Sequence, residues 1–163
     1  MRRPAVPREI TGQKTVLRPI EDSEYAQACA WRNAPGVAHL FYRRNVTPEQ
    51  MRRDVEKLRR SATGDTLAIT NRETLDFIGT LTYAIARKQG APAEATLGIL
   101  IGPEHARGRG LGADAINALG AWLAQEHGVG KLLVEVKPGN SRAMKFYEKA
   151  GFAQRAIIME RDI

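Results

Sequence analysis

Apolar positions recur at three- and four-residue spacing in four stretches of the chain, and each stretch has a helix start or stop signal. The clearest start is in the second stretch, where Thr47, Pro48 and Gln50 form a capping box and the pattern ends before Gly64. Either Asp22 or Ser23 can cap the first stretch. We predict helices over about 22–33, 47–63, 112–128 and 140–150.

Between these stretches the pattern changes to runs rich in β-branched and aromatic residues, which are typical of strands. The order of elements predicts a mixed α/β sheet rather than a barrel. Residues 1–13 are rich in Pro and Arg without periodicity and predict a loose arm ahead of one domain over residues 14–163. We predict strands at 14–20, 66–70, 76–86, 96–101, 131–137 and 157–159, with 66–70 and 76–86 forming an antiparallel hairpin.

Composition excludes several classes of protein. With 163 residues the chain suffices for one domain and is too short for two. Cys29 is the only cysteine and the three histidines are scattered, so we expect no disulfide framework and no bound metal. Helical spacing places Cys29 in the core as a small hydrophobe. No apolar run approaches the roughly 18 residues of a membrane span, so we expect a cytoplasmic protein without membrane contact.

The charge balance favours an anionic partner. The chain has 25 Lys+Arg against 18 Asp+Glu, a net charge of +7, which suits phosphates, nucleic acid or an acidic surface. Arginine pairs at 43–44, 52–53 and 59–60 are more often a solvated face than a docking site. We therefore do not expect nucleic acid as the partner.

A glycine-rich segment, Arg107-Gly108-Arg109-Gly110-Leu111-Gly112, stands between a predicted strand and a predicted helix. Exposed backbone N–H groups and the positive end of the helix dipole make such a loop a binding site for phosphate. Glycine is needed because a side chain would hold the ligand away from the backbone, and because such loops often adopt positive φ. The loop therefore indicates a phosphate-containing ligand.

Two common nucleotide-binding motifs do not fit this loop. Gly108, Gly110 and Ala113 match a dinucleotide fingerprint, with Glu135 about 20 residues further on. However, six residues separate the strand from the first glycine, Glu135 falls inside a strand, and no second mononucleotide-binding half exists. The phosphate loop of nucleoside triphosphatases is excluded because neither Gly-Lys-Ser nor Gly-Lys-Thr occurs.

Two motifs resemble the GNAT superfamily of acyl-CoA-dependent N-acyltransferases. Arg107, Gly110 and Gly112 match the family's pyrophosphate signature after the strand Leu97-Gly98-Ile99-Leu100-Ile101. A second block, from Asn140 to Phe152, follows at the family's usual distance. The resemblance is strong over residues 95–152. It is weaker over Leu17-Arg18-Pro19-Ile20 to Trp31-Arg32-Asn33, which resembles the ribosomal-protein-alanine acetyltransferase branch.

The resemblance implies a mostly antiparallel GNAT-type sheet with about four helices, and acetyl-CoA as the acyl donor. In the family the strand before the loop parts from its neighbour and pairs through its backbone with the pantetheine arm, and the loop N–H groups from Arg107 to Ala113 hold the pyrophosphate. Asn140 would bond the pantetheine chain, or equally would cap the last helix. The implied donor-binding residues are Ile99, Leu100, Ile101, Arg107, Gly108, Arg109, Gly110, Leu111, Gly112, Ala113, Asn140, Ala143, Phe146 and Tyr147.

Tyr147 matches the tyrosine to which the family assigns the general acid. A phenol of unperturbed pKa about 10 is protonated at neutral pH and can donate to the thiolate of CoA, whose conjugate acid has a pKa of about 8.5. Spacing alone would make Tyr147 a buried aromatic residue on a helix, but the flanking motif favours the catalytic role.

The base that deprotonates the acceptor amine is not assigned by the sequence. Many relatives in this branch carry an acidic residue where this chain has Thr96. Cys29 lies far from both motifs in sequence, so direct attack by the amine is favoured over an acyl-cysteine intermediate. The remaining candidates are Glu94, Glu104, His105, Glu135 and His39, and none is singled out.

We predict an N-acetyltransferase that acts on a primary amine, with a protein N-terminus as the leading acceptor because of Trp31-Arg32-Asn33. Small-molecule acceptors remain open: a polyamine, an aminoglycoside or an amino-sugar nucleotide. A non-catalytic CoA-sensing or RNA-binding module is the alternative outside the enzymes. We expect a monomer or a homodimer, although the eleven residues after Phe152 are too few for the closing hairpin common in this branch.

Overall fold

One sheet of six strands organises the protein, whose computed structural model describes residues 9–163. The strands lie side by side in chain order, and every neighbouring pair is antiparallel except the last, which is parallel. The strands are β1 (Ile10–Thr11), β2 (Thr15–Pro19), β3 (Gly64–Asn71), β4 (Phe77–Ala86), β5 (Ala93–Ile101) and β6 (Val129–Val134).

Four α-helices flank this sheet, as predicted, and the whole is a single α/β domain. Thr47 and Gln50 form the expected capping box, in which the Thr47 hydroxyl accepts the Gln50 N–H at 3.1 Å and the Gln50 side chain accepts the Thr47 N–H at 2.9 Å. The helices are α1 (Tyr25–Asn33), α2 (Pro48–Ser61), α3 (Leu111–His127) and α4 (Ser141–Lys149), with 3₁₀ turns at Asp22–Glu24, Ala38–Leu40 and Glu104–Ala106.

The start of α1 differs from the prediction. A 3₁₀ turn over Asp22–Glu24 precedes the helix, so neither Asp22 nor Ser23 is its N-cap. The Glu24 carboxylate instead accepts the Glu21 N–H at 2.9 Å and pairs with the Arg18 guanidinium at 2.6 Å. The Arg18 guanidinium of β2 holds the carboxylate in the turn, a pairing that helix periodicity does not indicate.

Alternate residues of β3 divide the core between two helical layers. Leu67 and Ile69 are buried in the cluster that contains Leu119 and Leu123 of α3. Ala68 between them is buried with residues of α1 and α2, including Tyr25, Ala28 and Val55. Cys29 is 3% exposed on α1, which confirms its prediction as a core residue. The packing places α3 on one face of the sheet and α1 and α2 on the other.

Both ends of the domain differ from the sequence prediction. Ile10 and Thr11, inside the predicted loose arm, form β1 and pair with Leu17 and Val16; residues 1–8 of that arm lie outside the described residues. The predicted final strand over 157–159 is wrong, because the chain has no helix or strand after α4.

The residues of that wrongly predicted strand are exposed. Ile157, Ile158 and Met159 have exposures of 75%, 87% and 90%. Three consecutive apolar residues specify hydrophobicity but no pairing partner. The chain ahead of them is held by an ion pair with β5, in which the Arg155 guanidinium lies 3.1 Å from the Glu94 carboxylate. Within residues 9–163, no helix combines the length and apolar character that crossing a membrane requires.

Candidate active site

The two parallel strands at the edge of the sheet separate partway along their length. β4 pairs with β5 as far as Ile101, opposite Gly79, whereas β6 pairs with β5 only up to Leu97, opposite Val134. β6 ends there rather than at Lys137 as predicted. Residues 98–101 of β5 therefore have no strand partner on the β6 side within the described chain. Such an open backbone edge suits an extended ligand, and it contains the predicted donor-binding residues Ile99, Leu100 and Ile101.

The loop after β5 presents a run of unused backbone donors. None of the six N–H groups from Gly108 to Ala113 donates to another described residue. The last three belong to the first turn of α3, where the positive end of the helix dipole adds to them. Gly108 and Gly110 have φ of 71° and 77°, the left-handed region that favours glycine. This arrangement fits a pyrophosphate.

Arg107 holds the loop rather than extending its run of donors. Its N–H donates to the Glu104 carbonyl at 3.1 Å, so the unused N–H groups begin at Gly108 and not at Arg107 as expected. Its guanidinium donates from Nε to the Ile101 carbonyl at 3.0 Å and from Nη2 to the Gly102 carbonyl at 2.8 Å. The arginine of the signature thus joins the end of β5 to the start of the loop.

An acidic residue that sequence reasoning missed ties the same loop to the N-terminal strands. The Asp114 carboxylate accepts the N–H groups of Gln13, Lys14 and Thr15 at 3.0, 2.9 and 2.9 Å, and the Thr15 hydroxyl at 2.7 Å. Burial opposes ionisation, but these hydrogen bonds outweigh it and lower the pKa of Asp114 below its ordinary value. The signal available in the sequence was an acidic residue in the first turn of a helix.

Lys14 is a second residue that sequence reasoning missed. Its ammonium donates to the Arg109 carbonyl at 3.1 Å, which places a positive charge beside the unused N–H groups. The turn between β1 and β2 therefore supports the loop in two ways, through the N–H groups that bind Asp114 and through this ammonium.

Helix α4 brings the second motif against the loop. A Cβ added to Gly112 would lie 3.2 Å from Cζ of Phe146 and 3.6 Å from Cγ1 of Ile101, so the loop, β5 and α4 meet at this point. Asn140 is the N-cap of α4, because its Oδ1 accepts the Ala143 N–H at 3.0 Å. Its Nδ2 donates to no described residue, so the side chain can cap the helix and also donate to a ligand.

Tyr147 lies in an aromatic group formed by α4 and the residues after it. Its ring centroid is 5.1 Å from that of Phe146 and 5.4 Å from that of Phe152. Burial raises the pKa of Tyr147 above its ordinary value, so the phenol is protonated at neutral pH. Its hydroxyl has no hydrogen-bond partner among residues 9–163. The phenolic proton is therefore available for donation to a ligand.

The structure brings none of the candidate bases into a hydrogen bond with Tyr147. Glu94 is engaged by Arg155 and Lys131, at 3.1 and 4.0 Å. Thr96 lies exposed on β5. The other candidates lie on separate elements: Glu104 and His105 in the 3₁₀ turn of the loop, His39 in the 3₁₀ turn after α1, and Glu135 exposed after β6.

No described residues form a group of three or more His, Cys, Asp or Glu suited to a metal ion.

The segment between α1 and α2, residues 34–47, is attached to the end of α1. Asn33 holds it through two hydrogen bonds, from Nδ2 to the Val46 carbonyl at 2.7 Å and from the Val46 N–H to Oδ1 at 3.2 Å. Trp31, next to it on α1, packs so closely on Gly102 that an added Cβ there would lie 1.9 Å from Cδ2 of the indole. α1 therefore contacts the chain where β5 ends.

The match to a family model agrees with this geometry. The model described as acetyltransferase (GNAT) domain matches residues 14–153, which include the open β5 edge, the loop and α4. The chain belongs to the GNAT acetyltransferase family, whose members are acetyl-CoA-dependent N-acetyltransferases. No curated protein matches the chain in sequence.

Solved structures show the same fold at low sequence identity. RimL, a ribosomal alpha-N-protein acetyltransferase in complex with coenzyme A, has a TM-score of 0.74 at 16% identity, over 91% of this chain and 85% of its own. AAC(6')-Ib, in complex with paromomycin and acetyl-CoA, has 0.73 at 19%, over 90% and 86%. A ribosomal-protein-alanine acetyltransferase from Vibrio fischeri has 0.69 at 19%, over 89% and 82%.

Proposed function

We propose that this acetyltransferase transfers the acetyl group of acetyl-CoA to a primary amine by direct attack, with a protein N-terminus as the acceptor. One observation supports the donor site above all. The open edge of β5 leads directly into a loop with six unused N–H groups. In coenzyme A an extended pantetheine chain is followed by a pyrophosphate, so the chain suits the β5 edge and the pyrophosphate suits the loop.

The residues on this path have distinct tasks. Residues 99–101 offer backbone groups to the pantetheine arm, and the N–H groups from Gly108 to Ala113 bind the pyrophosphate with the help of the α3 dipole. Arg107 positions the loop through the carbonyls of Ile101 and Gly102. The Nδ2 of Asn140 donates to the pantetheine chain, while Ala143 and Phe146 pack along it.

Tyr147 is the general acid of the proposed mechanism. The amine nitrogen bonds to the thioester carbonyl carbon, the carbon–sulfur bond breaks, and Tyr147 gives its phenolic proton to the departing sulfur. The raised pKa supports this role because it keeps the phenol protonated at working pH. The proton lost by the amine goes to solvent or to a base that this proposal does not assign.

Thiol release from acetyl-CoA in the presence of amine acceptors tests the proposal. We expect turnover with peptides that have a free N-terminus, and a fall of roughly 10²- to 10⁴-fold in kcat for Tyr147→Phe with unchanged acetyl-CoA affinity. The matched control is Tyr83→Phe, a buried tyrosine of β4 that packs on Trp122, which should retain kcat. Loss of acetyl-CoA binding in Tyr147→Phe would make this residue structural.

A small-molecule acceptor is the second candidate. AAC(6')-Ib, which binds paromomycin, and a glucosamine-6-phosphate N-acetyltransferase from Arabidopsis thaliana have TM-scores of 0.73 and 0.62 to this chain. The same assay with aminoglycosides, polyamines and amino sugars distinguishes the two classes. Turnover of these small molecules alone would mean that the acceptor is a small molecule and not a protein N-terminus.

A further inference from the structure

Arg32 on α1 carries a charge that no described carboxylate neutralises. Its side chain is partly buried, its Nε is buried without a hydrogen-bond partner, and its guanidinium lies 4.2 Å from the ring centroid of Phe41. By contrast, Arg18 pairs with Glu24 at 2.6 Å. Withdrawing a cation from water without a neighbouring anion costs free energy, and such costly groups are concentrated at functional sites.

The surroundings of Arg32 add positive charge rather than neutralise it. Burial, followed by the nearby Arg43, lowers the pKa of Arg32, but the guanidinium remains charged at neutral pH. The Asp54 carboxylate acts in the opposite direction on the pKa of Arg32, but Arg43 already pairs with it at 2.8 Å. The ring of Phe41 holds the guanidinium by a cation–π contact without neutralising it.

Arg32 lies on the stretch of α1 that contacts the end of β5. Trp31, its neighbour on α1, packs on Gly102 at the end of β5. On the other side, Lys137, which follows β6, donates from Nζ to the His39 carbonyl at 3.0 Å and lies 5.6 Å from the ring centroid of Tyr42. The segment 34–47, whose Phe41 ring lies on Arg32, is therefore linked to the chain that follows β6.

We propose that the acceptor carries an anionic group, a carboxylate or a phosphate, close to its reactive amine, and that Arg32 binds this group. Lys137 adds a second positive charge on the β6 side. The proposal rests on the function proposed above and specifies its acceptor class. A planar guanidinium fixed by an aromatic ring is well suited to two parallel hydrogen bonds with a carboxylate or a phosphate.

The first experiment compares acceptors that differ only in charge, with the wild-type protein. One arm uses peptides that start with the same residue and continue with Asp-Glu, Ser-Ser or Lys-Lys. The other arm uses glucosamine 6-phosphate and glucosamine. We expect kcat/KM to be at least tenfold higher for the anionic acceptor than for the uncharged or basic acceptors of the same arm. The arm whose anionic acceptor has the higher kcat/KM identifies the source of the anion.

The outcomes separate this proposal from the proposed function. Turnover of neutral and anionic acceptors at equal rates would support the acetyltransferase and overturn the anionic acceptor. If no acceptor turns over, the affinity of each acceptor for the protein saturated with coenzyme A is measured instead. A preference for the acidic peptide or the sugar phosphate would support the anion site, and equal affinity for all members would overturn it.

Variants then test the residue. Arg32→Gln should raise KM for the anionic acceptor roughly tenfold, leave kcat within about twofold, and leave the neutral acceptor unchanged, because only a charge-assisted contact is lost. Arg32→Lys should restore part of the affinity. The matched control Arg60→Gln removes an exposed arginine of α2 and should change neither constant. An equal rise in KM for neutral and anionic acceptors would mean that Arg32 only supports the fold.

Discussion

The donor and acceptor halves of the proposed site are built from different parts of the polypeptide. The donor half consists mainly of backbone groups: the open edge of β5 and the N–H groups of Gly108–Ala113. The acceptor half consists of side chains on α1 and the segment 34–47, held by Asn33 and Lys137. Most substitutions leave the backbone N–H and C=O groups in place, whereas every substitution in a surface made of side chains changes the chemistry of that surface. One fold can therefore keep its donor and change its acceptor.

The largest effect separating the halves is expected from Gly108→Ala. Alanine is strained at φ 71° and its methyl group would stand between the ligand and the N–H groups. We expect acetyl-CoA affinity to fall roughly 10- to 100-fold. Isothermal titration measures it. Gly128→Ala, with φ 64° at the end of α3 and equally open space around it, should lose the same stability but retain affinity. Equal affinities of the two variants would refute the backbone donor site.

The next effect concerns the attachment of the donor loop to the N-terminal strands. Asp114→Asn should lower the free energy of unfolding by about 1–2 kcal/mol, a value reduced for the partial exposure of the site. Asp162→Asn, at an exposed position, should have no effect. Chemical denaturation measures both.

The same carboxylate gives a pH dependence of known sign. Its pKa is lower in the folded protein than in the unfolded chain, so its contribution to stability is complete above about pH 4 and is lost as the pH falls through the folded-state pKa. The Asn variant should lack this part of the decline. An unchanged acid profile would show that the hydrogen bonds to Gln13, Lys14 and Thr15 do not stabilise the ionised form.

A smaller effect is expected on the acceptor half. Asn33→Ala removes both hydrogen bonds to Val46 and releases the segment 34–47. We expect KM for the amine to rise roughly five- to tenfold with acetyl-CoA affinity unchanged. Asn71→Ala, which removes two comparable bonds in the β3–β4 turn, is the control. A matching loss of donor affinity in Asn33→Ala would show that the halves are not independent.

The smallest effect is expected from Lys14→Met. Removal of an exposed ammonium beside the proposed pyrophosphate site should weaken acetyl-CoA binding about two- to fivefold, and high salt should abolish the difference. Lys57→Met removes an exposed cation of α2 and serves as the control. A difference that persists in high salt would assign Lys14 a structural role instead.

The sequence was a good guide to the geometry of the glycine-rich loop because its signals are local. Glycine spacing, a strand before the loop and a helix after it are contained in about a dozen consecutive residues, and such signals specify backbone geometry directly. The role of Arg107 was only partly predictable, since its position in the motif gave no indication that its guanidinium binds the carbonyls of Ile101 and Gly102.

The acceptor half and the attachment of the loop depend on contacts between distant parts of the chain. Lys137 and His39 are 98 residues apart, and Asp114 and Thr15 are 99 residues apart. Periodicity carries no information on such pairs. The wrong strand at 157–159 has the same origin, since apolar character alone does not supply a neighbouring strand.

The bonds from Asp114 and Lys14 give the turn at Gln13–Thr15 a further property. Acetyl-CoA would bind the same loop that this turn supports, so occupancy of the site and order in the turn are thermodynamically linked. The amide protons of these three residues, which bond to the Asp114 carboxylate rather than to the ligand, should exchange more slowly with solvent once acetyl-CoA is bound. Slowed amide exchange at the beginning of the domain would therefore report that acetyl-CoA is bound.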